Sequence, residues 1–393
     1  MGASPETNAS GPRDRLAELE LKIPIFAFSH CRDVVAAVSK AGGLGVYGAA
    51  LHSDSKIEVD LRWIEAQVEG RPYGVDLLMP SKYVGQESGG LDSRSLRDLV
   101  PEEHRAFVDA LMVRYEVPER DRSERNPRDV VAGGTRYSAK DTESALECAF
   151  RFAPRLLVSA LGTPPRHILE AAHERGMLVG ALAGKVQHAL AHQRAGVDLI
   201  IAQSYEAGGH TGDIGGIVLV PEIVEAVHPT PVLMAGGIVR GSQIAAALAL
   251  GAQGVWCGSV WLTTAESDVL PLVKQKLFAA SSSDTVRTRA WTGKHARFLR
   301  TPWSDEWDAP GNPKPLPTPL QSFAIDGALA RIAKGAEARS ASADKGAGLL
   351  MSSPVGQGVG YLRHEQTCRQ VIEEMLQECV DTVGRISDVL DNV

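Results

Sequence analysis

Eight strand-length apolar runs, separated by stretches long enough for a helix, constrain this chain more than any other feature. They read IPIFAFS (23–29), GLGVYGA (43–49), YGVDLLM (73–79), RLLVSALG (155–162), MLVGALA (177–183), VDLIIAQS (197–204), PVLMAGG (231–237) and GVWCGS (254–259). Each is apolar almost throughout instead of alternating, as expected where helices cover one face of a parallel sheet and side chains fill the other. Helical segments are expected between them, at 33–41, 165–175, 185–195, 221–227 and 242–250. A doubly wound open sheet would use the same alternation. The count of eight, and the Gly or small polar residue that closes most strands, favour a (β/α)8 TIM barrel. The barrel is assigned to 21–285, after a polar segment at 1–20 and before a C-terminal arm and helices (286–393) packing on it.

Two stretches depart from the alternation. An insertion follows the third strand, at about 80–140. Within it PEEHRAFVDALMVRYEV reads as an amphipathic helix with Phe107, Leu111 and Tyr115 on one side, and PERDRSERNPRDVVAGG is a charged run. The insertion is either a lid over the barrel mouth or a surface decoration. Beyond the eighth strand, 297–320 is rich in Pro and Trp and reads as an extended arm wrapping the barrel. A terminal helix is expected over EQTCRQVIEEMLQECVDTVGRI, with Val371, Met375, Cys379 and Val383 at helical spacing.

Bulk properties exclude several classes. A net charge of -7 offers no clustered Lys and Arg for nucleic acid or an anionic membrane surface. Five cysteines with no CxxC pair argue against a disulfide framework and for a cytoplasmic setting. The polar opening has no apolar core, so no secretory signal is expected. The run 244–262 is apolar and long enough to cross a bilayer, but Gly251 and Gly254 break it. It reads as a helix, a turn and a buried strand.

Chemistry concentrates in two places. Gly236 and Gly237 close the seventh strand, and Gly258 and Ser259 close the eighth. Barrel loops at these positions commonly hold a phosphate against backbone amides and a short helix start. Trp256 and Cys257 read as core or wall residues. The second place is AQSYEAGGHTGDIGG (202–216), where one loop leaving the sixth strand carries five glycines, two acids and His210. Glycine lets backbone N–H groups come close to a ligand, so this loop reads as built around one. Glu206 is expected to orient the loop by accepting backbone N–H bonds. His188 and His192 share a helix face at i, i+4, but no third ligand accompanies them; a solvated surface is expected there, with no metal. Lys185, opening the same helix, also reads as surface.

Together AQSYEAGGHTG, PVLMAGGI, GAQGVWCGS and AVSKAGGLGVYG, with a later GQGVG (356–360), resemble the FMN-dependent nitronate monooxygenases over about 23–267. The histidine loop also resembles that of FMN-dependent enoyl-thioester reductases. The resemblance implies FMN as cofactor and His210 as the catalytic residue beside it. Ala27, Phe28, Asp76, Gln203, Gly208 and Gly209 stand where relatives meet the flavin. Ala235, Gly236, Gly237, Trp256, Cys257, Gly258 and Ser259 match the phosphate cradle. Four positions depart from the pattern. A Pro-Met pair is replaced by Ala27-Phe28, a glycine by Ser204, and an asparagine by Asp76; the fifth strand ends in GALAG, without a lysine. Ser204 is expected to add a side chain near the flavin.

The resulting expectation is an oxidoreductase that converts an alkyl nitronate and O2 to a carbonyl compound and nitrite. The alternatives are an NAD(P)H-dependent enoyl-thioester reductase and a non-catalytic barrel binding a phosphorylated ligand. Small-molecule substrate and O2 are the expected partners, without nucleic acid or membrane, and a homo-oligomer is compatible with the reading.

Overall fold

A computed structural model describes residues 16–79, 93–119, 139–152, 154–338 and 342–392. All eight apolar runs become the parallel strands of one closed barrel. In chain order these are β1 (Ile25–Ser29), β2 (Leu44–Gly48), β3 (Tyr73–Leu77), β4 (Leu156–Ser159), β5 (Leu178–Ala183) and β6 (Leu199–Gln203). After the short β7 (Gly209–His210), which lies outside the barrel, come β8 (Val232–Ala235) and β9 (Gly254–Cys257). β9 pairs back onto β1, matching Ile25 with Val255 and Ala27 with Cys257, which closes the ring. The fold is the (β/α)8 barrel.

Strand parity separates two cores. Ile25, Ala27, Val75, Leu77, Ile200, Ala202, Val255 and Cys257 face the helices, packing with residues such as Val34, Leu61, Leu219 and Ile244. Their neighbours Phe26, Val46, Val158, Ile201, Leu233 and Trp256 fill the barrel interior. Leu19 is only 1% exposed and joins that inner core with Leu16 and Leu21. Lys22 N–H donates to Gly42 O, so these leucines enter at the N-terminal end of the strands. Residues 1–15 of the polar N-terminal segment lie outside the described residues. The C-terminal end of the barrel is left as the face for chemistry.

Helices fall close to the expected places: Arg32–Ala41, Arg166–His173, Val186–Ala195 and Gly241–Ala249. The helix expected at 221–227 starts earlier, at Gly216, and carries Pro221 inside it. The proline removes one bond to the carbonyl of Ile217, a residue 69% exposed, where water can replace it. The apolar run 244–262 resolves into the end of a helix, β9 and a 3-10 turn, Ser259–Thr263. Among the described residues no helix is long and apolar enough to cross a membrane.

The insertion contributes helices Ser93–Asp98 and Glu102–Arg114. Val108, Leu111 and Met112 of the second, with Phe107 and Tyr115 partly buried, join a satellite core with Trp303, Trp307, Ile325 and Ile332. Arg97 bonds Asp326 at 2.9 Å and Arg114 bonds Glu306 at 2.6 Å across the same junction. Residues 80–92 and 120–138, including most of the charged run, lie outside the described residues. The arm at 297–320 is not simply extended. It begins in β11 (Ala296–Leu299), antiparallel to β10 (Thr285–Thr288), and then forms helix Pro302–Asp308. The terminal helix runs Cys368–Asp391; Val371 and Met375 are buried, but Val383 is 52% exposed, so its apolar stripe seals only the first half.

Candidate active site

Inward-facing parity brings Phe28, Asp76, Gln203, Ala235 and Trp256 toward the C-terminal end of the barrel. Ala27 and Cys257 have the opposite parity; their side chains face the helices, so they can meet a ligand in the mouth only through backbone. The Cys257 thiol is sealed, and burial pushes its pKa far up, which removes it as a nucleophile. Phe28 stacks on Trp256 with ring centroids 6.0 Å apart and meets His30 edge-on at 5.1 Å. His30 Nδ1 lies 2.6 Å from Gly48 O, holding both rings against β2.

At the ends of β8 and β9 the backbone provides donors. Gly236 (φ +114°) and Gly237 (φ +72°) adopt a left-handed turn that other residues rarely enter. Among the described residues the N–H groups of Gly236, Gly237, Gly258 and Ser259 have no hydrogen-bond acceptor. Ser259 Oγ accepts the Gly356 N–H at 2.8 Å, which orients the hydroxyl and leaves its own hydrogen to donate. A Cβ built on Gly258 would meet nothing nearer than the Phe28 ring at 4.0 Å, so the turn opens onto space beside that ring. The 3-10 turn that begins at Ser259 adds its first N–H, but the start of the helix after β8 adds none. Gly241 N–H donates to Glu378 at 2.9 Å, and the N–H groups of Val239 and Arg240 donate to Gln243. The helix after β8 is already capped from behind, so any anion here depends on the glycine turns.

Part of the histidine loop is shaped by other segments. Gly208 and Gly212 serve contacts between protein segments, whereas Gly209 (φ +72°) borders open space. A Cβ on Gly208 would fall 2.7 Å from Gly356 N, and one on Gly212 would fall 2.8 Å from Gly184 O. Ser204, expected beside the cofactor, is fully buried with an unpartnered hydroxyl packed behind Gly236; it follows inward-facing Gln203 and so points the other way. Both Glu206 oxygens accept from Gly216 N–H, at 3.2 and 3.1 Å, while its carbonyl accepts from Gln357 N–H at 2.9 Å. This carboxylate thus ties the loop together, as its position suggested.

Gly209 and His210 form β7, which pairs with Arg297 and Ala296 of β11. His210 Nε2 lies 2.9 Å from Thr292 Oγ1. The Thr292 hydroxyl donates to Lys294 O at 3.2 Å, and its oxygen accepts Lys294 N–H at 3.3 Å. If the hydroxyl hydrogen stays on that carbonyl, the oxygen accepts from Nε2–H and Nδ1 is the basic nitrogen; if it turns to Nε2, the tautomer reverses. No hydrogen bond among the described residues engages Nδ1. Burial first, then the charge of Lys294, lowers the His210 pKa to about 4, so the ring is neutral at physiological pH. Thr292 and Lys294 carry no motif, and only the register of β11 against β7 brings them to the histidine.

His192 corrects the surface expectation: it is 2% exposed, with Nδ1 2.9 Å from Thr163 Oγ1 and Nε2 3.1 Å from Leu182 O. It joins its helix to two barrel segments, while His188 and Lys185 are exposed. No group of three or more metal-ligating side chains occurs among the described residues.

A parallel barrel with unpaired amides over its last two strands and a neutral, half-buried histidine on the loop after the sixth has the architecture of a flavin oxidoreductase. The nitronate monooxygenase family model matches residues 27–378, and the chain belongs to that family. It is a flavin-dependent monooxygenase. It is 54% identical over 380 residues to a Mycobacterium tuberculosis protein named as a candidate monooxygenase, covering 96% of this chain and 99% of the relative. It is 30% identical over 321 residues to a Staphylococcus haemolyticus protein named as a candidate nitronate monooxygenase, covering 77% of this chain and 82% of that one. The solved nitroalkane oxidase from Streptomyces ansochromogenes shares the fold, with a TM-score of 0.74 at 24% identity over 95% of this chain and 99% of the other.

Proposed function

We propose that the protein binds FMN and oxidises an alkyl nitronate with O2 to a carbonyl compound and nitrite. The observation that carries this reading is the pairing of two features on one barrel. Unpaired amides end β8 and β9, and a neutral histidine with one nitrogen unengaged leaves β6. The residues fit the cofactor. Amides of Gly236, Gly237, Gly258 and Ser259 and the Ser259 hydroxyl would hold its phosphate, since N–H groups turned to one point favour an anion. Backbone at Ala27 and Cys257, and side chains of Phe28, Asp76, Gln203 and Trp256, would line its ring, with Gly208, Gly209 and Ala235 closing the edge. When bound, FMN supplies the electron transfer between substrate and O2.

His210 then handles the proton. Its neutral ring accepts a proton at Nδ1 from a nitroalkane carbon, or orients the anion of a preformed nitronate, while Thr292 holds Nε2. Phe28 and Trp256 supply an apolar wall against which the substrate's alkyl part packs and from which water is displaced.

The test is direct. Purified protein should be yellow, release FMN on denaturation and yield nitrite from a panel of short nitronates without pyridine nucleotide. Bound FMN with no nitrite from any of them, together with rapid anaerobic bleaching by NADPH, would instead assign the protein to the enoyl-thioester reductases.

A further inference from the structure

Asp76 is the one inward-facing carboxyl on the barrel strands, and its surroundings do not account for it. Val75 and Leu77 face the helices, so Asp76 between them faces the interior above Gly74. It is 2% exposed. At its level the paired residues are Gly48 on β2 and Val158 on β4, neither of them polar in its side chain. No hydrogen bond or ion pair among the described residues reaches its carboxyl. Burial alone raises its pKa well above the ordinary carboxylate value, with no neighbouring charge contributing. From the other elements at this end, Phe28, Leu182, Gln203 and Trp256 face inward and carry no charge. His30, bound to Gly48 O, has its own pKa lowered by burial.

The protein offers this carboxyl no partner, and a ligand in the barrel mouth with an acceptor atom would supply one. We propose that Asp76 meets the flavin as a neutral carboxylic acid, its O–H donating from the barrel wall to an acceptor atom of the ring. This rests on the flavin reading above and adds to it a proton held by the protein. An ionised carboxylate at this place would offer no donor and would set a negative charge against an electron-rich ring in a low-dielectric interior.

Two variants separate the proton from the hydrogen bond. Asp76→Asn keeps a donor and cannot ionise; Asp76→Leu keeps the approximate size and has neither. Between the unfolded-state and native pKa values the unfolded chain releases a proton that the native one retains. Wild-type stability therefore falls as pH rises, while D76N is spared that loss. The melting temperature of FMN-free D76N should draw ahead of wild type as pH rises from 5, by about 1–2 °C per pH unit until the native carboxyl itself ionises. In fluorescence titrations with FMN at one pH, D76N should bind as tightly as wild type, and D76L about tenfold more weakly. A constant melting gap across that range, or D76N and D76L keeping or losing FMN to the same extent, would overturn the proposal. Wild-type protein that binds no FMN at any pH would sink the flavin reading itself, and this inference with it.

Discussion

At the scale of single residues, His210 shows how much its surroundings decide. An exposed imidazole titrates near pH 6.5 and is half charged close to neutrality. Here burial and Lys294 move it to about 4, so protonation disfavours the working form only in acid. If the neutral ring takes the substrate proton, the acidic limb of kcat/KM should fall near pH 4, and the profile should be flat through neutrality on the His210 account. His210→Asn should lower turnover on a neutral nitroalkane by about 10²–10⁴-fold while the protein stays yellow. With a preformed nitronate, which has already lost its proton, the loss should be smaller. Equal losses on both substrates would assign the ring to binding instead of proton transfer. As a candidate it was legible in the sequence from its type and setting, a histidine on a glycine-rich loop after a buried strand, together with the family resemblance. Its pKa and its Thr292 contact were not, because the burial that lowers the pKa, and Thr292 and Lys294 beside the ring, come from how distant segments pack.

At the scale of elements, the strands were readable because each is a continuous apolar run, and burial on both sides of a barrel wall produces that pattern. Two glycines of the histidine loop have a reason that sequence did not supply. Close approach is required, but at Gly208 and Gly212 the approaching atoms belong to Gly356 and Gly184. Glycine density reports crowding, and sequence does not say whether a ligand or another segment causes it. His192 failed in the opposite direction, since helical spacing gives a face but not what lies beneath it. The β10–β11 hairpin was invisible in the strand count because its residues lack an apolar run, yet it carries the Thr292 contact. Thr292→Val preserves shape and removes the oxygen that fixes Nε2. The expected result is a drop of about tenfold in kcat with little change in KM or in FMN content, and recovery in Thr292→Ser. Unchanged kcat in the valine variant would show that the hairpin braces the loop without setting the ring's tautomer.

At the scale of the whole molecule, the barrel and its satellite core are joined through the site. The insertion helix Glu102–Arg114 and the later helix Leu320–Glu337 enclose Trp303, Trp307 and Ala290. Gln321 donates to Ala290 O at 2.9 Å, and Thr318 donates to Thr292 O. From there two residues of chain lead from Ala290 to the hydroxyl beside His210. The described part of the insertion therefore backs the histidine loop from behind, a third arrangement beside the lid and the decoration that the sequence suggested. Trp307→Ala tests this. Removing a fully buried indole costs about 3–5 kcal/mol of stability, and the cavity lies in the satellite core, away from the amides at Gly236 and Gly258. Flavin affinity should then hold within about twofold of wild type, because the ends of β8 and β9 are untouched. Turnover should fall several-fold at temperatures where the variant remains folded, because Ala290–Thr292 loses its support. FMN loss in proportion to the loss of turnover would mean instead that satellite core and barrel unfold as one cooperative unit.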